Sequence, residues 1–436
     1  MEQQKITLNP ARDVEKTGDT PMKQWITCNT AMLVIHGIGN QDPMETIDGF
    51  GRGMLTQFGN EITVEHRVAP KGDSQNGVWF DNYLRITKKG SPFHLDLYEY
   101  YWANYTRDKA TYVDLTNWLN TVADGATKFY FAEENKVFGE TYKDQSPFFT
   151  KDGKFRSGRY NFFVKTLPKF FILLGFVFKW FYSFVARIPG LSGIGTQWLQ
   201  TIGEDFTHQI IDVVSEVTIY NTNDEKSKFY PIRREILDGG VNAAQYLIEH
   251  EDDKGELAYP RLLIAGHSLG SQVSFDVINK INLLINKAEI KNYDSTGIYQ
   301  KEGSKYKGCK ISEQLNGLIT FGSPLDKIAF FLRMNVPEEE ILRFQMVNNY
   351  HGFKQRDWSI GRKAPAIIVQ PAFVRLLDEI KWCNYHDDHD YVSGALDYYS
   401  VVNNVNLRFK ATRWSFTHSD YWQSAEFHQD IIRNFF

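Results

Sequence analysis

The feature that most constrains the fold is one stretch, Tyr259–Asp276, with the sequence YPRLLIAGHSLGSQVSFD. It begins with a short apolar run, continues through Gly-His-Ser-Leu-Gly, and then places apolar residues at helical spacing. A strand, a Gly-x-Ser-x-Gly turn and a helix in this order are the context of a nucleophile elbow. The pattern predicts a strained Ser268 at a helix N-terminus, with Gly266 and Gly270 allowing close packing. A glycine-rich turn that only packs tightly is the alternative.

Apolar runs that alternate with segments of helical spacing predict a mixed α/β fold. Two of these runs, 31–35 and 315–321, end in turns that contain glycine. Fully apolar strands are typical of a mostly parallel sheet that is covered on both faces. With 436 residues, of which 42% are hydrophobic, the chain can bury a sizeable core. Residues 1–25 are polar, which predicts a loosely ordered lead-in.

Six short motifs together resemble a known family. They are VIHGIGNQ, YEYYW, GHSLGS, ITFGSPLDK, WCNYHDDHDYVSG and THSDYW. This set is similar to that of the lipase-like α/β-hydrolases, especially bacterial members with an HGIG turn and a GHSLGS elbow. GHSLGS and GSPL also resemble the intracellular phospholipases A1. The resemblance covers about 30–105 and 205–436, and it implies an α/β-hydrolase fold. Residues 107–205 lie outside it and are expected to form a large helical cap insertion.

The resemblance also implies how other groups are arranged around Ser268. In α/β-hydrolases, the turn after an early strand and the residue after the nucleophile donate the N–H groups of the oxyanion hole. Here these are the backbone amides of Ile38 and Leu269. The triad follows the order serine, acid, histidine. We select Asp390 as the acid because Asp-x-Val-Ser-Gly follows a Trp-x-Asn strand.

Several downstream histidines could act as the base. We select His418 because it lies in Thr-His-Ser-Asp-Tyr-Trp, after a strand-like stretch at 406–414. His428 lies in a helix-like segment and is expected to be structural. The other downstream acid and histidine candidates are Asp326, His351, His386 and His389.

The run from His386 to Asp390, HDDHD, permits two other interpretations. Asp387 and Asp388 are fallback acids in the same loop. Histidine and aspartate are also good metal ligands, but consecutive residues of one loop cannot easily all face one ion. Since no further ligand cluster is apparent in the sequence, we expect no metal and no cofactor.

More than 200 residues separate the HGIG turn from Ser268, which predicts a large insertion at 107–205 between two core segments, 26–106 and 206–436. Its most distinctive part is 162–188, FFVKTLPKFFILLGFVFKWFYSFVARI. As a helix, this segment would carry its cations on a narrow stripe, with aromatic and aliphatic residues elsewhere, as in membrane-surface helices. The residues expected to contact a membrane are Lys169, Lys179, Trp180, Phe181 and Arg187.

Two other arrangements of this segment are open. It could be a cap helix whose apolar faces pack inside the protein. It could also cross a bilayer, although residues 170–186, with Lys179 as their single charge, are only marginally long enough.

Composition excludes several classes of function. The net charge of −4 and a pI near 6.3 give no global basic field for nucleic acid. Three widely spaced cysteines without a CxxC argue against a disulfide framework and fit a reducing compartment. The N-terminus lacks the apolar segment of a secretory signal peptide. We expect a cytoplasmic protein that is peripheral to a membrane.

The sequence therefore predicts a serine ester hydrolase, of lipase or phospholipase type, that acts at a membrane surface through an acyl-enzyme. Its expected partners are a lipid or ester substrate and the membrane surface, but no nucleic acid. One alternative is a soluble carboxylesterase or thioesterase with an internal cap. Another is a membrane-disrupting or binding module on an inactive hydrolase scaffold.

Overall fold

The computed structural model describes residues 11–14, 22–38, 42–68, 82–106, 109, 112–131, 136, 139, 148–166, 216–221, 225–326, 340–350, 374–390, 392–399, 401–409 and 417–436. Contacts within the chain define two units. The first comprises Met1–Gly37, Asp42–Trp102 and Arg234–Phe436, and the second comprises Ile38–Gln41 and Ala103–Arg233. The predicted insertion, 107–205, falls within the second unit, which extends farther in both directions.

A nine-stranded sheet runs through the described part of the first unit. The strands are β1 (Arg12–Asp13), β2 (Thr30–Ile35), β3 (Ile62–Val68), β4 (Asn82–Lys88), β5 (His94–Tyr100), β6 (Arg261–His267), β7 (Leu315–Phe321), β8 (Lys381–His386) and β9 (Val402–Asn406). Their order is β1-β9-β8-β7-β6-β2-β5-β4-β3. In this spatial order, the first seven strands, which run from β1 at the edge to β5, are all parallel to their neighbours within this set. Strand β4 is antiparallel to both β5 and β3.

The central strands are apolar because both of their faces are covered. All six residues of β2 are buried, and so are six of the seven residues of β6. In parallel strands the carboxyl ends share one edge of the sheet. Ile35 pairs with Gly266, and Phe321 pairs with both His267 and Tyr385. The turns that follow β2, β6, β7 and β8 therefore meet at this edge.

Nine α-helices have both of their ends within the described residues. They are α1 (Glu45–Thr56), α2 (Tyr112–Phe131), α3 (Ser157–Asn161), α4 (Tyr230–Glu249), α5 (Leu269–Asn286), α6 (Ile311–Gln314), α7 (Ile341–Tyr350), α8 (Leu376–Glu379) and α9 (Ala425–Phe435). In the first unit, α1 and α9 bury Phe50 and Phe427 against one face of the sheet, next to Leu263 and Ile319. Helix α5 packs on β6 and β7.

The described part of the second unit is held by aromatic packing. Helix α2 ends beside a short segment in which Phe149 and Phe155 pair as an isolated bridge. The Tyr130 ring lies 5.1 Å from that of Phe149 and 4.7 Å from that of Phe155. Tyr160 of α3 contacts the same cluster, with its ring 5.4 Å from Phe155.

The structure confirms the predicted mixed α/β architecture with a mostly parallel sheet flanked by helices. The prediction of a strand at 406–414 is wrong for 407–409, which are irregular, because β9 ends at Asn406. Asparagine disfavours strands, which hid β9 in the sequence. Two of its asparagines bond to neighbouring side chains: Asn404 Oδ1 accepts from Asn384 Nδ2 (3.0 Å), and Asn406 Nδ2 donates to Asp388 (3.0 Å).

Among the described residues, no helix is both long and apolar enough to cross a bilayer. Residues 167–215, which contain most of the segment predicted to contact a membrane, lie outside the description.

Candidate active site

The turn between β6 and α5 holds Ser268 in a strained conformation. Its φ is 51° and its ψ is −127°, which residues with a Cβ atom rarely adopt. The flanking glycines permit this turn. A Cβ on Gly266 would lie 2.4 Å from the carbonyl oxygen of Gly270, and a Cβ on Gly270 would lie 2.3 Å from that of His36. A larger residue at either position would push the strand and the helix apart.

Ser268 is buried at the N-terminus of α5. Its backbone N–H donates to the carbonyl of Phe321 (3.0 Å), which ties the elbow to the end of β7. The residue is 2% exposed, and its Oγ has no hydrogen-bond partner among the described residues. Leu269 begins the helix, so its N–H is one of those without an intrahelical acceptor. Negative charge that develops beside Ser268 would meet the positive end of α5.

The turn after β2 lies against this elbow. A Cβ on Gly37 would be 2.6 Å from Ser268 Cβ, so a larger residue would collide with the serine. His36 is buried, and its ring stacks on Trp102 at a centroid distance of 5.0 Å. Its Nε2 accepts a hydrogen bond from the backbone N–H of Trp102 (2.9 Å). The imidazole proton is therefore on Nδ1, which donates to the carbonyl of Gly37 (2.7 Å). Burial lowers the pKa of His36 to about 4, so the neutral ring holds this turn.

Asp390 and His418 form a buried pair. His418 Nδ1 lies 3.0 Å from Oδ1 and 2.9 Å from Oδ2 of Asp390. The carboxylate also accepts from Tyr421 Oη (2.8 Å) and from the N–H of Val392 (3.0 Å). Because an ionised carboxylate can only accept, Nδ1 carries the imidazole proton and Nε2 is the basic atom. Burial and the carboxylate raise the pKa of Tyr421 well above its usual value, so the phenol remains a donor.

His267 connects the elbow to the loop of His418. Its Nε2 donates to the His418 carbonyl (2.9 Å), and the two rings lie 4.8 Å apart. Burial, together with His418, lowers the pKa of His267 to about 3. Gly322, with φ of +60°, borders both rings: a Cβ there would lie 3.0 Å from His418 Cε1. Since Ser268 N–H bonds to the residue before Gly322, the serine and His418 flank the same turn.

Buried amides fix the loop that carries Asp390. Asn384 Nδ2 donates to the carbonyl of Gly394 and to Asn404 Oδ1, both at 3.0 Å, while its Oδ1 accepts from Thr320 Oγ1 (3.0 Å). The asparagine of the Trp-x-Asn strand is thus bonded to the glycine of the Ser-Gly pair in the loop. The acid is therefore held by three neighbouring strands.

The fallback acids have other partners. Asp387 accepts from Thr417 Oγ1 (2.9 Å), which steadies the residue before His418. Asp388 is exposed and accepts from the end of β9. Of the three aspartates in this loop, Asp390 is the one whose carboxylate is placed on the imidazole of His418.

His428 is buried in α9, where its Nδ1 donates to the Ser424 carbonyl (2.8 Å). Its ring packs so closely on α1 that a Cβ on Gly53 would lie 2.0 Å from Cε1. Among the other candidates, His386 ends β8 and His389 lies in the turn after it. Asp326 follows β7, and His351 lies outside the described residues. In the described ranges, no group of three or more His, Cys, Asp or Glu residues could hold a metal ion.

The roles predicted for Ile38 and for the membrane-contacting residues remain predictions. Ile38 belongs to the second unit, so its role as an oxyanion donor has no geometric support here. The five residues predicted to contact a membrane lie outside the described ranges: Lys169, Lys179, Trp180, Phe181 and Arg187.

Sequence reasoning assigned no role to Tyr421 or His267, although both lie inside quoted motifs. Tyr421 follows His418 by three residues, and the chain turns between them as it enters a 3-10 helix, Asp420–Gln423. This spacing was the available signal. His267 had no comparable signal, because its partner is the backbone of a residue 151 positions away.

No family model, characterised protein or solved structure matches this chain. The chemistry open to the site follows from its geometry. A strained serine at a helix N-terminus, with an imidazole nearby that a buried carboxylate orients, is the set of groups that can activate a hydroxyl for attack on a carbonyl carbon.

Proposed function

We propose that this protein is a serine ester hydrolase with an α/β-hydrolase core. Ser268 is the nucleophile, His418 is the general base and Asp390 orients the imidazole. One observation carries the proposal: His418 Nδ1 lies 2.9–3.0 Å from both carboxylate oxygens of Asp390, at the same turn as a serine with φ of 51°. The order serine, acid, histidine along the chain is that of the α/β-hydrolases.

The first step is attack of Ser268 Oγ on the ester carbonyl carbon. His418 Nε2 takes the hydroxyl proton as the new C–O bond forms, and the carbonyl π electrons move onto oxygen. Collapse of this intermediate breaks the bond to the alcohol, which leaves with the proton from His418. Attack requires Oγ and Nε2 to approach within about 3 Å. Because Oγ has no partner among the described residues, rotating it toward His418 breaks none of their hydrogen bonds.

Asp390 stabilises the imidazolium that forms in this step. Its carboxylate keeps the Nδ1 proton in place and offsets the positive charge, while Tyr421 and Val392 hold the carboxylate itself. Water then attacks the acyl-enzyme, with His418 again accepting a proton. The acid is released, and Ser268 regains its proton.

The developing oxyanion needs donors that are already oriented. The N–H of Leu269 is suited to this task because it lies at the start of α5, directly after the nucleophile. The N–H of Ile38 is the second proposed donor. The hydrogen bonds of His36 fix the turn at Gly37, which lies against the Ser268 elbow.

We propose a lipid ester as the substrate class. The resemblance to lipases and phospholipases and the aromatic, basic-striped sequence at 162–188 support this choice. The described part of the second unit adds a further observation. Phe162 is 51% exposed and lies close in sequence to four exposed cations: Lys151, Lys154, Arg156 and Arg159. Such a composition suits contact with an anionic lipid surface.

A fluorescent fluorophosphonate, which labels activated serines, tests the proposed nucleophile. We expect the wild-type chain to be labelled and Ser268→Ala not to be labelled. Ser295→Ala is the matched control, because Ser295 is an exposed loop residue and its loss should leave labelling unchanged. Equal labelling of the wild type and Ser268→Ala would refute the assignment. Lack of labelling with and without liposomes would favour an inactive scaffold.

Turnover of a lipid panel tests the substrate class separately. We expect long-chain phospholipid or glyceride esters in vesicles to be hydrolysed faster than short soluble esters. Replacing Lys169, Lys179 and Arg187 by glutamine should weaken binding to anionic liposomes while fluorophosphonate labelling persists. Hydrolysis of only short esters or thioesters, without liposome binding, would instead support a soluble esterase or thioesterase.

A further inference from the structure

Among the described strands, β3 forms one outer edge of the sheet, and five of its seven residues are exposed. Val68 is 82% exposed and Val64 is 39% exposed. Residues on both faces of the strand are accessible, including Glu65 and His66. A long, regular edge strand with exposed valines can pair with another strand, which is why proteins usually shorten or interrupt such edges.

The opposite edge of the sheet is protected by a short edge strand. Its outermost described strand is β1, which has two residues. By contrast, β3 contains no proline, and its register with β4 continues without a bulge from Ile62↔Lys88 to Val68↔Asn82. The two edges therefore differ in their capacity to pair.

The backbone of β3 has one side that faces away from the sheet. Lys89 N–H donates to the carbonyl of Glu61 (2.7 Å), which makes Glu61 and Lys89 a hydrogen-bonded pair. Because hydrogen-bonded pairs alternate along an antiparallel ladder, Val64, His66 and Val68 direct their N–H and C=O groups outward. Within the described part of the chain, no backbone hydrogen bond involves these outward groups.

We infer that β3 pairs with β3 of a second copy of this chain, antiparallel and centred on His66. In this register each hydrogen-bonded pair joins outward-facing residues: His66 meets its own counterpart, and Val64 meets Val68. On the other face, Glu65 lies opposite Arg67 of the other copy. The strand is thus complementary to itself in both charge and apolar surface.

Charge selects this register among its neighbours. A twofold axis at Glu65 would place two glutamates opposite each other, and one at Arg67 would place two arginines opposite each other. Like charges directly opposite destabilise a sheet, whereas opposite charges contribute to its stability. Centring on His66 gives two Glu65–Arg67 pairs, one on each side of the axis.

The apolar face of the sheet continues into this edge. Val64 pairs with Ile86, which is buried, so the valines extend the surface that α1 partly covers. In the dimer, Val64 and Val68 of opposite copies cover each other. Within one strand, Arg67 already donates to Glu65, with Nη2 2.6 Å from Oε2. The second copy therefore supplies backbone partners and an apolar neighbour, and it adds a second residue of opposite charge beside each member of this ion pair.

Cross-linking at the twofold axis tests the register. In the full-length His66→Cys variant, the paired residues would have Cα atoms about 5.5 Å apart, within reach of a short bismaleimide. Thr63→Cys is the matched control: Thr63 is also exposed, but its two copies would be about 20 Å apart at ~3.4 Å per residue. We expect a covalent dimer from His66→Cys and only the wild-type background from Thr63→Cys.

Charge reversal tests the same register without cross-linking. Glu65→Arg or Arg67→Glu alone should raise the dimer dissociation constant about tenfold in sedimentation velocity, and the double variant should restore it. Both residues are exposed or nearly so, and circular dichroism checks that each variant folds. Fluorophosphonate labelling should not change, since β3 is not part of the site.

Three outcomes would overturn the inference. One is a wild-type chain that stays monomeric at the highest attainable concentration. Another is equal cross-linking at positions 63 and 66. The third is a double charge reversal that associates no better than the single variants.

Discussion

Replacing Asp390 by asparagine changes one atom of the carboxylate and should abolish most of the activity. Oδ1 accepts the N–H groups of Val392 (3.0 Å) and Ser393 (3.4 Å), so the asparagine carbonyl will take this position. The amide NH2 then occupies the place of Oδ2, 2.9 Å from His418 Nδ1. Because an amide nitrogen donates, a proton on Nδ1 would face this NH2 group, which favours the tautomer of His418 that accepts at Nδ1 and carries its proton on Nε2. In this tautomer the imidazole cannot take the proton of Ser268.

The expected loss can be estimated from this tautomer change. An equivalent substitution in a serine-protease triad lowers kcat about ten-thousandfold. At about 1.36 kcal/mol per factor of ten, this corresponds to ~5.5 kcal/mol of transition-state stabilisation. Folding should be affected much less, because Tyr421 can turn its hydroxyl toward Ser393 Oγ, 3.0 Å away.

The assay is hydrolysis of a chromogenic ester by Asp390→Asn, with thermal unfolding as the check on folding. Asp388→Asn is the matched control, since Asp388 lies in the same loop but is exposed and bonds to β9. The control should retain wild-type kcat/KM. If Asp390→Asn stays within tenfold of the wild type while Asp388→Asn loses activity, the assignment of the acid is refuted.

Three further predictions follow from contacts in the core and at the site. Tyr421→Phe removes the hydroxyl that donates to Asp390 (2.8 Å), so the free energy of unfolding should fall by about 1.5–3 kcal/mol in chemical denaturation and kcat/KM should also decrease; unchanged stability and activity would contradict a role in holding the acid. Gly270→Ala places a Cβ 2.3 Å from the backbone oxygens of Ile35 and His36, so the free energy of unfolding should fall by about 3 kcal/mol or more in chemical denaturation. In the control Gly158→Ala the new Cβ meets nothing within 4 Å, so the same free energy should stay unchanged or rise slightly. Burial lowers the pKa of His428 to about 4, below the value of 6.5 in the unfolded state. Between these two pH values the unfolded state binds more protons than the folded state. The free energy of unfolding therefore falls as the pH decreases from 6.5 to about 4. His428→Gln should reduce that slope by about 1.4 kcal/mol per pH unit, and an unchanged slope would show that this histidine is not the group involved.

The parts of the site that sequence could predict are those set by neighbours along the chain. An apolar strand, two glycines and a helix within one stretch are enough to locate Ser268, because the strain arises from the turn itself. Asp390 and His418 could be selected as candidates by their order. Their contact, however, depends on β8 and on Tyr421 and could not be read from spacing alone.

The parts that sequence missed depend on distant partners. Asn404 lowers the strand propensity of β9, yet it bonds to Asn384 in the next strand, and this contact outweighs the local preference. His267 was visible only as the second residue of the elbow. Its bond to the carbonyl of His418 joins residues 151 positions apart, and no local pattern encodes it.

The strand order also determines when this site can form during folding. Strand β2 pairs with β6 through Thr30↔Arg261, so two neighbours in the middle of the sheet are separated by more than half of the chain. Loop closure over such distances is slow, and proteins rich in non-local pairs fold slowly. The His36–Gly37 turn can meet Ser268 only after this closure. A refolding chain should therefore regain helical signal first, and reactivity toward a serine probe only in its slowest phase.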